Sequence, residues 1–352
     1  MKIALMSGAY VNAGDFLIEH RCKELLEKLL RADVTICRRD ESYDSRTDEL
    51  NSFDGIVFGG GPLLQNIYPG KMPFVTRLEE IKVPVYILGC GWKGRRIPEK
   101  DDFSDYRFSA DMERFIRFVS GQGGIGCRDW YTFRMLRGKG FDHEVMTGCP
   151  AWYDLDRIEN LELKEKYGKY FFRDDMTIGI SDPAMPWNQG RLPELVRILE
   201  RNFPGAALKV FFHRGISESQ QKNMQRLAGK NERISYVDLS GSCRDFALYN
   251  DCFFHIGFRV HAHIYNLSQG NISVLINEDA RGNGVNHALG LENIDCGQKE
   301  SGLRRMNEAQ FERILMNYLE YVKESDFLQY RRAYFSMRET YKSMEQFVSH
   351  MV

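Results

Sequence analysis

No run in this 352-residue sequence is long and apolar enough to cross a bilayer. Met1–Gly8 is too short for the apolar core of an export signal and reads better as a first strand. A surplus of one charge is also missing. The 48 Lys and Arg residues face 49 Asp and Glu, a formal net charge of −1, so nothing points to nucleic acid or to a charged tail. The eight cysteines (Cys22, Cys37, Cys90, Cys127, Cys149, Cys243, Cys252 and Cys296) form no C-x-x-C pair and no Cys/His zinc spacing. They read as reduced thiols filling the core of a cytosolic enzyme. Cys90, Cys127 and Cys149 fall near strand ends, but none has a base nearby in sequence, so packing is expected of them too. There is no G-x-G-x-x-G fingerprint, no repeat of 20–50 residues and no low-complexity segment. With no acidic cluster for a divalent ion, chemistry without a metal or cofactor is expected.

What is present is a globular composition, 43% hydrophobic and 28% charged, on a chain long enough for two domains. Short apolar runs alternate with amphipathic stretches, which argues for parallel sheets covered by helices. In the first half the strand candidates are 2–7, 33–37, 55–58, 84–89, 124–127 and 144–147. Helices are expected at 16–30 and 130–136, the second capped by Asp129. The pattern restarts after about residue 155, with strands at 176–180, 208–212, 234–237, 253–256 and 273–276. Helices there fit 192–202, 218–228, 243–249, 261–268 and 308–322. The charged stretch 156–175 is the expected linker, and Phe327–Val348 reads as a long amphipathic helix. The fold class is therefore α/β: two Rossmann-like, doubly wound domains, 1–155 and 156–325, facing a cleft as in B-type glycosyltransferases. A C-terminal helix, 326–352, packs back.

The chemistry-bearing residues gather where strands end. Arg259-Val260-His261-Ala262-His263 follows an apolar run and opens a helix, where free N–H groups and the helix dipole favour anions. Of the two histidines, which cannot share a helix face, His261 is the stronger candidate and one is expected to be packed. Asn12-Ala13-Gly14-Asp15 sits at the first such corner, with Asp15 as a helix cap or an acid/base. Gly59-Gly60-Gly61 and Gly89-Cys90-Gly91 read as loops whose amides can meet a phosphate or a sugar. Arg128, His213 and Arg214 close further strands, and Arg128 bridged to Asp129 or Asp15 is an alternative to a cleft role. Three arginines and two histidines on one cleft suit a small, strongly anionic substrate, because the guanidinium fork holds carboxylate and phosphate bidentately. Trp92 and Trp187, in expected loops, are candidates for stacking on sugars or for packing.

Taken in order, Asn12-Ala13-Gly14-Asp15, the Gly59–Gly61 run, Gly89-Cys90-Gly91, Arg128-Asp129 with Leu136 and Gly140, Pro150-Ala151, and Arg259–Ile264 with Gly270 resemble the polysaccharide pyruvyl transferase family nearly end to end. Thr132, Cys149 and Val260 depart from the family's more frequent Ser, Asp and Leu. The resemblance implies transfer of pyruvate from phosphoenolpyruvate onto two hydroxyls of one saccharide, giving a cyclic ketal in cell-surface or exopolysaccharide synthesis. It implies Arg259 and Arg128, with Arg214 third, on the donor's anionic groups, and His261 as general acid/base and phosphate contact. Asp15 as base and Asn12 would meet the acceptor hydroxyls, with Gly60, Gly61 and His213 contributing to binding. The partners are then phosphoenolpyruvate and a saccharide, polymeric or lipid-linked, met in the cytoplasm or at the inner face of the membrane. The alternatives are a B-type glycosyltransferase using a nucleotide-sugar donor and a non-catalytic saccharide-binding relative.

Overall fold

The computed structural model describes residues 1–94, 103, 106–167, 175–229, 231–295 and 306–351. Cys296 and part of the expected 156–175 linker lie outside the described residues. The strands are β1 (Lys2–Ser7), β2 (Asp33–Arg38), β3 (Gly55–Leu64), β4 (Val85–Trp92), β5 (Ile125–Cys127) and β6 (Glu144–Met146), then β7 (Thr177–Ser181), β8 (Ala207–Phe212), β9 (Ile234–Asp238), β10 (Phe254–Gly257), β11 (Ser273–Asn277) and β12 (Ile294–Asp295). The helices are α1 (Ala13–Leu30), α2 (Thr47–Leu50), α3 (Ala110–Gln122), α4 (Trp130–Gly138), α5 (Arg191–Asn202), α6 (Glu218–Ala228), α7 (Val260–Ser268), α8 (Ala280–Leu289), α9 (Glu308–Glu324) and α10 (Leu328–Ser349).

All the strand pairs are parallel. Strand order is β2-β1-β3-β4-β5-β6 in the first sheet and β12-β11-β10-β7-β8-β9 in the second. The doubly wound architecture read from the sequence is what forms, because buried parallel strands need helices on both faces. Each sheet reverses its winding once, between β1 and β3 and between β7 and β10. Ligand crevices open at the carboxyl ends of such strands.

Several expected boundaries move. β3 runs on through Gly59–Gly61 and β4 through Gly89–Trp92, so both glycine runs lie within strands, paired across the sheet, and are not loops. The helix expected at 243–249 is a 3₁₀ segment, Arg244–Asp251. Helices α3 and α8 occupy segments to which the sequence reading assigned no element.

One apolar cluster runs through both halves of the molecule, from Leu5 and Leu25 through Trp152 and Tyr153 to Ile180, Ile264 and Met337. Helix α10 belongs to it and spans the two sheets. Tyr330 and Tyr334 donate their hydroxyls to Ser273 O (2.8 Å) and Asn271 O (2.9 Å) on the β11 side. One turn from its far end, Phe347 packs on Gly124 beside β5. Asp154 pins the crossover between sheets, taking Arg21 of α1 (2.8 Å) and Gln269 after α7 (2.6 Å).

Candidate functional site

The reversal point of the second sheet brings together the residues that follow β7 and β10. Arg259 caps α7 from extended backbone, and its side chain forks onto Asp182, Nε to Oδ1 at 2.8 Å and Nη2 to Oδ2 at 2.5 Å. Asp182 is buried and also accepts the His213 N–H at 3.1 Å. Burial pushes its carboxyl above the usual range although Arg259 opposes the shift. The guanidinium edge expected to bind a donor bidentately is thus held by the protein's own carboxylate. Among the described residues Nη1 makes no hydrogen bond, and Arg259 lines a pocket shared with Arg214. Asp182 was missed by sequence reasoning, although it lies two residues after the strand expected at 176–180 and directly follows β7.

His261 lies in the first turn of α7, pressed against Gly14 of α1. A Cβ at Gly14 would come within 2.5 Å of the ring, so this corner requires glycine for the close approach. Burial, and then the charges of Arg128, Arg281 and Arg259, push the imidazole down to about 3. The ring is therefore neutral, and its buried Nε2 has no hydrogen-bond partner among the described residues. As a neutral ring it can accept a proton. The acid half of the expected role needs a bound anion to offset the three cations.

The other two candidate histidines are packed. His263 Nδ1 meets Ser273 Oγ at 2.8 Å. His213 Nε2 meets Tyr249 Oη at 2.8 Å inside an aromatic nest with Phe246. The His213 side chain is thus turned into the core, with Nδ1 buried and without a partner among the described residues. Its backbone serves the site by donating to Asp182 and by accepting Ala13 N–H at 2.9 Å.

Arg128 makes the bridge to Asp129 that was considered for it. Its Nε reaches Asp129 at 3.2 Å, while Asp129 caps α4 by taking Thr132 N and Oγ, each at 2.8 Å. Its Nη2 is buried and has no partner among the described residues. The guanidinium fills the space beside Gly91 where a Cβ would stand.

At the reversal point of the first sheet, Ser7, Gly8, Asp15, Gly59, Gly61 and Arg39 surround a cavity of only about 10 Å³. Helix α1 begins at Ala13 with Asn12 as its cap residue, so Asp15 stands inside the first turn and is not the cap. Gly60 abuts Ile18 of α1 and is no part of the cavity lining, which removes it from the expected contacts. Asp15 lies within electrostatic reach of two residues that sequence reasoning missed, Arg39 and Arg281. Arg281, in the first turn of α8, forks onto Asp279 at 2.6–2.9 Å. The signal for it was another strand end, β11, running into Glu278-Asp279-Ala280-Arg281. Lys93 follows β4, and burial and then Arg281 lower its ammonium pKa.

Arg214 lines a 390 Å³ pocket with Asp182, Gln189, Ser217, Gln220 and Arg259. Trp92 is packed edge-on against Phe103 and Tyr106, whereas Trp187 is 52% exposed. Burial pushes the Cys149 thiol up to about 11, and also raises Cys90 and Cys127, so these thiols are core and not nucleophiles. No group of metal-ligating side chains is found among the described residues, and no described helix is long and apolar enough to cross a membrane. The result is a cation-rich cluster around one neutral imidazole, in which Arg128, Arg259 and Arg281 are each paired with a carboxylate and Asp15 lies within electrostatic reach of Arg281. It can hold a compact polyanion and move protons next to it.

The family model for polysaccharide pyruvyl transferases matches residues 12–270. No curated protein matches the sequence. Among solved structures, the S. aureus MnaA–UDP co-structure superimposes with a TM-score of 0.57 at 11% identity, covering 94% of this chain and 91% of that one. UDP-GlcNAc 2-epimerase from Neisseria meningitidis bound to UDP-GlcNAc gives 0.54 at 13% identity, covering 95% and 94%. At such identities the likeness speaks for the fold alone, two Rossmann-like domains in the B-type glycosyltransferase arrangement.

Proposed function

This chain belongs to the polysaccharide pyruvyl transferase family, and on that premise we propose that it moves pyruvate from phosphoenolpyruvate onto two hydroxyls of a saccharide. The observation that carries the reading is a pair of buried atoms without partners among the described residues, Arg128 Nη2 and His261 Nε2, set among guanidinium groups. Buried polar atoms are normally satisfied, and these two suit an anionic oxygen.

In this reading the donor's phosphate and carboxylate lie against Arg128, Arg259 Nη1 and Arg214. Once the bound dianion has offset the neighbouring cations, His261 as imidazolium gives its proton to the methylene carbon. That carbon becomes a methyl group and leaves cationic character on the neighbouring carbon, and the neutral ring is then free to take a hydroxyl proton back. One acceptor hydroxyl adds there and gives up its proton. The carbon–oxygen bond to phosphate breaks, phosphate leaves with both bonding electrons, and the second hydroxyl closes the ketal as its proton passes to base. His261 takes a hydroxyl proton, and the bound dianion stabilises the imidazolium that forms. Asp15 and Asn12 orient the acceptor, and Arg281 and Lys93 add positive potential near the departing phosphate. No cofactor has a part in this sequence. Phosphoenolpyruvate is a cytosolic metabolite, so the reading places the reaction in the cytoplasm.

Calorimetric titration tests the donor assignment. Saturable phosphoenolpyruvate binding that weakens at least tenfold in Arg259→Ala is the expected result. Binding of UDP with none of phosphoenolpyruvate would overturn it in favour of a nucleotide-sugar glycosyltransferase. Heat from neither ligand would leave a saccharide-binding relative.

A further inference from the structure

Next to the charged pocket lies a second one of about 410 Å³, within the range of small-molecule sites. The two share Gln189, Ser217 and Gln220, so they adjoin across one wall. The second pocket differs in kind, for no charged side chain lines it. Its floor is Leu192, Phe212 and Met224. On its rim Gln189, Ser217 and Gln220 are joined to one another by hydrogen bonds of 2.8–2.9 Å, beside the hydroxyl of Ser219 and the amide of Asn223. An apolar floor under neutral groups that both donate and accept matches a pyranose ring, with its C–H face and its ring of hydroxyls.

The segment Asp182–Gly190 forms part of both pockets and is held firmly. Glu278 accepts from Ala184 N, Met185 N and Asn188 Nδ2 at 2.7–3.1 Å, and Gln189 Nε2 donates to Pro183 O at 2.9 Å. On this anchored turn stands Trp187, the most exposed of the four tryptophans. An indole buries about 150–250 Å² when it packs, so a fixed turn that leaves it in water forgoes that gain unless a ligand covers it.

We propose that the uncharged pocket and Trp187 form a subsite for a neutral saccharide unit of the acceptor, one or more residues away from the sugar that receives the ketal. The proposal rests on the pyruvyl transferase reading. The path is short. Ala13 N–H bonds His213 O, which puts the Asn12–Asp15 corner next to Arg214 at the mouth of the shared wall. The acceptor is then an oligosaccharide, and both domains grip it.

The test is a glycan array of neutral and anionic oligosaccharides read with three proteins: wild type, Asn223→Trp and Trp187→Ala. Asn223 is exposed on α6, so a tryptophan there fills the pocket without entering the core, and circular dichroism checks the fold of each variant. Wild type should retain a set of neutral oligosaccharides, with signals falling about tenfold or more in Asn223→Trp and several-fold in Trp187→Ala. Retention unchanged in Asn223→Trp, retention of anionic glycans only, or no retention by wild type each overturns the proposal. So does UDP binding that Asn223→Trp abolishes, which would give the pocket to a nucleotide. Phosphoenolpyruvate titration of the wild type runs beside the array. Binding there with a failed array rejects the subsite alone, and its absence rejects the donor reading.

Discussion

Arg259→Lys is expected to lose two to three orders of magnitude in kcat/KM for phosphate release, nearly as much as Arg259→Ala. The guanidinium has two jobs at once. Nε and Nη2 hold Asp182, and in the proposed reading Nη1 meets the donor. A single ammonium can serve one partner or the other, since lysine is a point charge on a flexible stem. The two variants should part in stability. Arg259→Ala leaves Asp182 buried with the His213 N–H as its remaining hydrogen bond from a neighbouring loop, and removing one partner of a buried pair costs roughly 3–5 kcal/mol. Arg259→Lys keeps a charge beside the carboxylate and should melt closer to wild type. The double variant Arg259→Ala/Asp182→Asn removes both charges, so it should regain much of the stability and none of the activity. Full turnover by the lysine variant would sink the assignment of two simultaneous contacts.

His261→Ala should lower turnover by about 10²–10⁴-fold, the usual contribution of a positioned acid/base. The pH profiles separate its role from simple packing. In the free enzyme burial and the three arginines hold the ring near 3, so kcat/KM, which reports that form, should show no acid limb from this histidine between pH 5 and 8. With a polyanion bound, the field of Arg128, Arg281 and Arg259 is offset and the imidazolium is favoured, so the pKa rises. The kcat profile, which reports the bound complex, should then carry an alkaline limb, where the imidazolium that protonates the methylene carbon is lost, and His261→Ala should abolish it. An acid limb near 6.5 in kcat/KM of the wild type would contradict the buried, cation-flanked ring described above.

The sequence signals reached the architecture more fully than the site. Alternating short apolar runs marked the positions of β1 to β11, because buried parallel strands must be apolar on both faces. The α7 corner stood out because Arg259 and His261 lie two residues apart in sequence. Asp182 did not, since its partner lies 77 residues away and only the reversal of strand order joins them. Arg281 was hidden differently. Helix α8 carries Gly282 and Gly284, each costing about 1 kcal/mol of helix propensity relative to alanine, so the segment reads as a turn. The structure accounts for both. Gly282 meets Asn277, and a Cβ at Gly284 would lie 2.8 Å from Asp129, so α8 needs bare backbone to dock on the first domain. Helix α3 is the opposite case. Its cap Ser109 and the buried stripe Met112, Phe115, Ile116 and Val119 carry an ordinary helix signature, yet the sequence reading assigned no element there. The glycine runs misled for a third reason, since glycine suits a loop and a close-packed strand equally well.

The apolar cluster that passes through both halves has a calorimetric consequence. Domains that meet only across a polar cleft can melt one after the other. Here helix α10 bonds to the β11 region at one end and packs beside β5 at the other, within a hydrophobic body common to both sheets. Neither sheet can lose its structure without exposing the other's interior. A heating scan should therefore give one endotherm with equal calorimetric and van't Hoff enthalpies, the mark of a single cooperative unit.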